Sequence, residues 1–334
     1  MRLLADIGVE FVVEENAYGL VQDDVTVPPF KFFQQLLVRL KGRVRLVAYN
    51  AWKEMTLQGE TIRALPIEDL APKAANCPWM RTPHLFKPEV RKFAFECQTQ
   101  TISCGYNRKM WWGLPAACVL CGKATESTSH VLNGCSHLGR LAVYKSRHDA
   151  VLEILVAALR KLYPEADFLV DQVPRRDLSA SMLRPDIILT LPTAVWIVDV
   201  KVPFPKFGFI ERVDEANSSK YATIALEYAV LNVPVHLKTF IVPSVGPNCK
   251  FSFDLLRELG FQAGNCSRML LSMSSCTAKI NYKLSGSLTR SGSPPAPVTD
   301  PDGVAAASLL DVDPSSSEED ETDIGPAGLP PEQL

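Results

Sequence analysis

The chain has 334 residues, 47% of them hydrophobic and 22% charged, a balance that excludes fibrous and wholly disordered classes and has room for about two domains. Its net charge of −2 hides an asymmetry: residues 291–334 carry ten Asp/Glu and no Lys/Arg, leaving 35 basic against 27 acidic groups in residues 1–290. A basic body with an acidic tail suits a polyanionic partner.

The first segment, MRLLADIGVEFVVEEN, is interrupted by Asp6 and Glu10 and lacks the charged-then-apolar order of a secretion signal. No apolar run of about 18 residues occurs, so no membrane span is expected. Nine cysteines in this setting point to a reducing compartment, where clustered cysteines bind metal more often than they form disulfides. Six of them (Cys77, Cys97, Cys104, Cys249, Cys266 and Cys276) are scattered and read as ordinary thiols.

In chain order, FKFFQQLLVR (Phe30–Arg39) reads as a helix and RVRLVAY (43–49) as a strand. Residues 72–112 are basic and aromatic, and Pro72, Pro78, Pro83 and Pro88 limit them to short or irregular elements. Arg91, Lys92, Arg108 and Lys109 are candidate phosphate contacts, with Trp111 and Trp112 available either for stacking on bases or for a core.

Residues 114–140 hold Cys118-x2-Cys121-x8-His130-x4-Cys135. Tetrahedral zinc takes four thiolate or imidazole donors, and a two-residue gap lets one tight turn present two sulfurs. The His-x4-Cys pair fits a short helix starting near Thr128, and His137 is a second-ranked ligand. So small a module would draw its folding free energy from the metal.

Tyr144–Tyr163 reads as an amphipathic helix, with Val151, Leu152, Leu155, Leu159 and Leu162 on one face and Glu153 opposite. His148 falls inside the apolar arc and Arg147 on its flank, which suits either core hydrogen bonding or a role at a site or a phosphate.

The stretch RPDIILTLPTAVWIVDVK (Arg184–Lys201) reads as a hairpin turning at Pro192–Thr193. That register sets Asp186 opposite Asp199, with cross-strand Cβ atoms about 4.5–5.5 Å apart, and alternation puts Lys201 on the face of Asp199. Two carboxylates this close repel, and a divalent cation, Mg²⁺ or Mn²⁺, removes the conflict. A lysine beside such a cation suits phosphodiester hydrolysis; a buried Asp–Lys pair would leave the second aspartate unexplained. Phe209–Leu231 then reads as a helix with Ile210, Val213, Asn217, Tyr221, Ile224, Tyr228 and Leu231 on one face and Lys220 at its inward edge, followed by a strand at Val235–Val242. Residues 141–262 thus alternate helix and strand as one α/β domain. From Ser285 the chain turns Ser/Gly/Pro-rich and acidic, and residues 285–334 read as a disordered tail.

The order Cys118/Cys121/His130/Cys135, Arg147-His148-Asp149, Arg184-Pro185-Asp186, Asp199 and Lys220-Tyr221 resembles the C-terminal region of site-specific non-LTR retrotransposon polyproteins of the restriction-like endonuclease class, over about residues 75–262. The resemblance implies a PD-(D/E)xK restriction-endonuclease-like core at 141–262, a mixed sheet flanked by helices. Before it would lie a basic linker with a CCHC zinc knuckle at 71–140. Residues 1–70 would be a remnant of a reverse-transcriptase thumb, since no polymerase motif occurs.

It further implies that Asp186 and Asp199 bind Mg²⁺ or Mn²⁺ to nick target DNA for insertion, that Lys201 or Lys220 assists, and that Arg147 and His148 help grip nucleic acid. The implied partners are target DNA, element RNA and a reverse transcriptase encoded elsewhere, in the nucleus. Asp149 stands where that family often has Asn, and both lysines are present where it commonly has only the later one. The alternative is a zinc-dependent nucleic-acid-binding module whose nuclease has decayed.

Overall fold

The structure is a computed structural model that describes residues 10–14, 17–22, 25–27, 40–41, 44, 46–55, 59–72 and 76–289. Strands β1 (Glu10–Glu14), β2 (Ala17–Gln22) and β3 (Val25–Val27) form an antiparallel meander. The helix expected at Phe30–Arg39 lies outside the described residues. Where a strand is expected at 43–49, the described residues are helical, and residues 46–54 form a continuous helix. A short apolar run without a following turn residue fits either period, and AYNAWKE continues it without a break.

The proline-spaced region resolves into short helices, as its spacing suggests. Pro78, Pro83 and Pro88 each open one, the position where a missing N–H costs nothing. The helix opened by Pro88 is the longest of these, α1 (Pro88–Gln98), and α2 (Gly105–Trp112) follows it. Gly105 opens α2 because a Cβ there would sit 2.5 Å from the Ala116 carbonyl oxygen.

The main body is a four-stranded mixed sheet between helices. Helix α3 spans Leu138–Leu162, and the strands are β4 (Asp167–Val170), β5 (Ile187–Thr190), β6 (Val195–Lys201) and β7 (Val235–Ile241), in that spatial order. The β4–β5 and β5–β6 pairs are antiparallel and β6–β7 is parallel. Helix α4 (Phe209–Tyr228) makes the crossover that a parallel pair requires. Helices α5 (Lys250–Glu258) and α6 (Ala263–Asn281) complete the layers.

Central strands covered on both faces lose alternation and read as near-continuous apolar runs. On one face Ile187, Leu189, Trp196, Val198 and Val200 pack with Val151, Leu155 and Leu159 of α3, Leu255 and Leu256 of α5, and Cys266, Leu270 and Met273 of α6. On the other, Ile188, Val195 and Ile197 meet Tyr221, Ile224 and Tyr228 of α4. Each fully buried Leu, Ile or Val contributes about 1.5–3 kcal/mol. Leu162, placed on the apolar face of α3 by its spacing, is exposed at the helix end, and Glu153 is exposed as expected.

Two boundaries move. Helix α6 belongs to the α/β core, so that core runs past 262. Residues Ser285–Thr289, assigned to the disordered tail, are helical, and Leu288 is buried in a cluster with Phe93, Val131 and Leu132. Their apolar residues are too few to show a period, and only tertiary packing orders them. The acidic remainder of the tail lies outside the described residues.

Candidate metal centre and carboxylate site

Cys118, Cys121, His130 and Cys135 converge, with one donor atom of each within 4.8 Å of the others. A small knuckle presents the first pair: Ala117 bridges Thr125, Cys118 N–H donates to the Ala124 carbonyl, and Gly122 N–H donates to the Cys118 carbonyl. Gly122 has φ +66°, a conformation that glycine adopts without a Cβ penalty. The second pair flanks a helical turn at His130–Gly134, entered near Thr128 as its spacing implies. His137 is not in the cluster; its Nδ1 accepts from Gly139 N–H at the start of α3.

The donor distances fit zinc. Bonds of about 2.3 Å to sulfur and about 2.0–2.1 Å to nitrogen place tetrahedral sulfurs about 3.8 Å apart and sulfur and nitrogen about 3.6 Å apart. The Cys118 and Cys135 sulfurs are 3.9 Å apart, and Cys121 Sγ lies 3.4 Å from His130 Nε2. Burial pushes the Cys118 thiol up to about 11, whereas the Lys123 backbone N–H lowers Cys121. Burial, followed by the nearby Arg140 charge, lowers His130 and favours the neutral imidazole that a metal needs.

Behind these ligands sits a network that no local pattern announces. Glu126 is fully buried, with Oε1 2.7 Å from Arg140 Nη2 and Oε2 3.4 Å from Arg108 Nη2. Gly105 N–H also donates to Oε2 at 3.0 Å, and Arg140 Nη1 lies 3.6 Å from the Cys118 sulfur. Hydrogen bonds of this kind orient ligands and tune a metal site.

The carboxylates lie at the mouth of the β5–β6 hairpin. The ladder pairs Ile187 with Val198 and Thr190 with Val195, and Leu191 N–H donates to the Ala194 carbonyl. The ladder ends at Ile187, and beyond it the two carboxylates take different partners: Asp199 shares the α4-facing side with Lys201 by alternation, and Asp186 turns to the β6 backbone and to α3. Asp186 Oδ2 accepts from Val200 N–H at 2.6 Å. Asp199 is 2% exposed; its Oδ1 faces the Tyr221 hydroxyl at 2.9 Å and its Oδ2 pairs with Lys201. Burial, then repulsion from Asp186, raises the Asp199 carboxyl despite Lys201 and Tyr221.

His148 completes the group. Its Nε2 lies 3.2 Å from Asp186 Oδ2 and 3.1 Å from the Val200 carbonyl oxygen. Both are acceptors, so Nε2 carries the hydrogen, while Nδ1 faces Asp149 at 3.4 Å. The Asp186 contact outweighs burial and raises the imidazole.

Lys220 is exposed, with its ammonium 4.7 Å from the centroid of the Tyr221 ring. Arg108 and Arg147 are buried, and Arg147 donates to Leu132 O, Asn281 Oδ1 and Val202 O. Arg91 is half-buried, and Lys92 is exposed and paired with Glu96. Lys109, Trp111 and Trp112 are exposed, and the two indoles meet edge to face at 5.4 Å. Sequence reasoning missed Glu126 and Arg140, and it gave Tyr221 no part beyond a helix face. For Tyr221 a signal existed: a hydroxyl on a buried face needs a partner.

Among the described residues no helix is long and apolar enough to cross a membrane. No protein-family model matches the chain, and no curated protein matches it significantly.

Proposed function

We propose that this chain is a metal-dependent DNA endonuclease of the PD-(D/E)xK type that nicks target DNA to start insertion of a retrotransposon, without a polymerase of its own. The observation that carries this reading is two carboxylates at one strand end, near enough for Asp186 to raise the Asp199 carboxyl, with Lys201 on one and His148 on the other. Burying Asp199 beside Asp186 costs stability, and a packed strand core would use Val there. A site kept despite that cost suits function.

A divalent cation, Mg²⁺ or Mn²⁺, bound between Asp186 and Asp199 would supply Lewis-acid chemistry and water of lowered pKa. The donor set fits it: hard oxygens, with Asp186 Oδ1 left outside the hydrogen bonds that hold Oδ2. Tyr221 orients Asp199, while Val200 N–H and His148 orient Asp186. Lys201 holds the attacking water or offsets charge developing on the phosphate, and Lys220 contacts a neighbouring phosphate. Exposed Lys92, Lys109, Trp111 and Trp112 extend the nucleic-acid contact. The Cys/His cluster holds zinc as a structural site. Target DNA, element RNA, a separately encoded reverse transcriptase and a nuclear location complete the proposal.

The zinc-loaded protein should nick supercoiled plasmid with Mg²⁺ or Mn²⁺, and Asp186→Ala and Asp199→Ala should each abolish nicking. Nicking that persists in both variants refutes the assignment. A second reading, a nucleic-acid-binding module with a decayed nuclease, is favoured by the internal partners that each carboxylate has without metal: Lys201 and Tyr221 for Asp199, Val200 N–H and His148 for Asp186. Its mark is a gel shift without cleavage.

A further inference from the structure

We propose that Asn133 and Arg147 are positioning residues through which metal loading of the Cys/His loop sets the exit of β6, and with it Lys201 and the carboxylate pair. The consequence for cleavage rests on the endonuclease reading; the mechanical coupling does not.

Strand β5 begins at Ile187, opposite Val198, so β6 outruns its antiparallel neighbour. Backbone groups beyond Val198 on that edge need other partners, because a buried strand edge cannot leave N–H and C=O groups unmade. On the opposite edge β7 continues the pairing as far as Lys201↔Ile241, and Val242 N–H donates to the Lys201 carbonyl. On the open edge, side chains take over. Val200 N–H goes to Asp186 and the Val200 carbonyl to His148. The Val202 carbonyl, one residue past Lys201, accepts from Asn133 Nδ2 at 2.7 Å and Arg147 Nη2 at 3.3 Å.

Those two donors lead straight to the metal cluster. Asn133 sits in the helical turn between ligands His130 and Cys135, and Arg147 Nη1 donates to the carbonyl of its neighbour Leu132 at 3.0 Å. Arg147 also holds Asn281, whose Nδ2 donates to Ser244 O, and Ser244 N–H donates to Pro203 O. The exit of β6 is therefore held on one side by Asn133 and Arg147, which reach the turn, and on the other by Ser244, linked to Arg147 through Asn281. Arg147 is 2% exposed and has no carboxylate among these partners; loss of any of its three neutral acceptors would leave a further buried donor unmade.

The test is hydrogen–deuterium exchange on the full chain, read at residues 199–204, with zinc bound, after chelation, and in the Asn133→Ala and Arg147→Lys variants. Asn133→Ala leaves all four metal ligands in place and should keep its zinc, as metal analysis will show. Chelation and Asn133→Ala should each speed exchange at 199–204 about tenfold, the scale of one lost hydrogen bond, with β4 unchanged. Arg147→Lys should give the same pattern. In nicking assays Asn133→Ala should lower kcat about tenfold and leave KM unchanged. Exchange at 199–204 that is unaltered in Asn133→Ala, or raised evenly along the whole chain, overturns the coupling. Wild-type protein that binds zinc but never nicks refutes the endonuclease, and the exchange result still decides the coupling.

Discussion

Glu126 offers a quantitative test of how the Cys/His region is held. Its carboxylate is completely buried and shared by Arg140 at 2.7 Å and Arg108 at 3.4 Å, whose side chains are 2% and 4% exposed. Glu126→Ala removes the anion and leaves two buried cations without it. Breaking a buried pair in this way costs about 3–5 kcal/mol, and the loss of the acceptor for Gly105 N–H adds about 1 kcal/mol. Glu126→Gln keeps the shape and an acceptor but not the charge, so roughly 2 kcal/mol should be lost. Glu153→Ala, on the exposed face of α3, should stay within about 0.5 kcal/mol of wild type. The assay is urea unfolding of the zinc-loaded protein, followed by circular dichroism, with unchanged slopes as the sign that midpoints report stability. A Glu126→Ala protein within about 1 kcal/mol of wild type would refute the reasoning, because the arginines would then be compensated elsewhere.

The remaining predictions concern the carboxylate site. Asp199→Asn should stabilise the metal-free protein at pH 7: a carboxyl raised in the folded state penalises folding once pH exceeds its unfolded value of about 3.9. That penalty grows up to the folded pKa and stays at neutral pH, so the gain should vanish in acid below about pH 3.9; an Asn variant less stable at pH 7 contradicts this. Lys201→Ala should slow nicking about 10²-fold, the scale of one lost charge-stabilising donor, while Lys220→Ala, whose ammonium rests over Tyr221, should cost under about tenfold. The reverse order would transfer the role to Lys220.

Much of this was legible because the decisive patterns are local. A Pro-Thr turn and a fixed strand period set the hairpin register, so the ladder from Thr190–Val195 to Ile187–Val198 follows from counting. Ligand spacing likewise marked Cys118, Cys121, His130 and Cys135 before any contact was known. His148, on the inward arc of its helix, reaches Asp186, yet Arg147 beside it turns to backbone carbonyls 15 and 55 residues away. Glu126 joins Arg108 and Arg140 across 18 and 14 residues; it lies in irregular chain between their helices, where no period exists to read. The strand expectation at 43–49 fails where helix 46–54 begins because a short apolar run is ambiguous, and tertiary packing overrides propensity.

The most direct test of the central claim is anomalous diffraction from crystals of the zinc-loaded protein soaked in Mn²⁺. The account predicts a manganese peak between Asp186 and Asp199, roughly 2.0–2.4 Å from an oxygen of each carboxylate. Density that leaves the Lys201 and His148 contacts intact, with no peak between the carboxylates at saturating Mn²⁺, would contradict it.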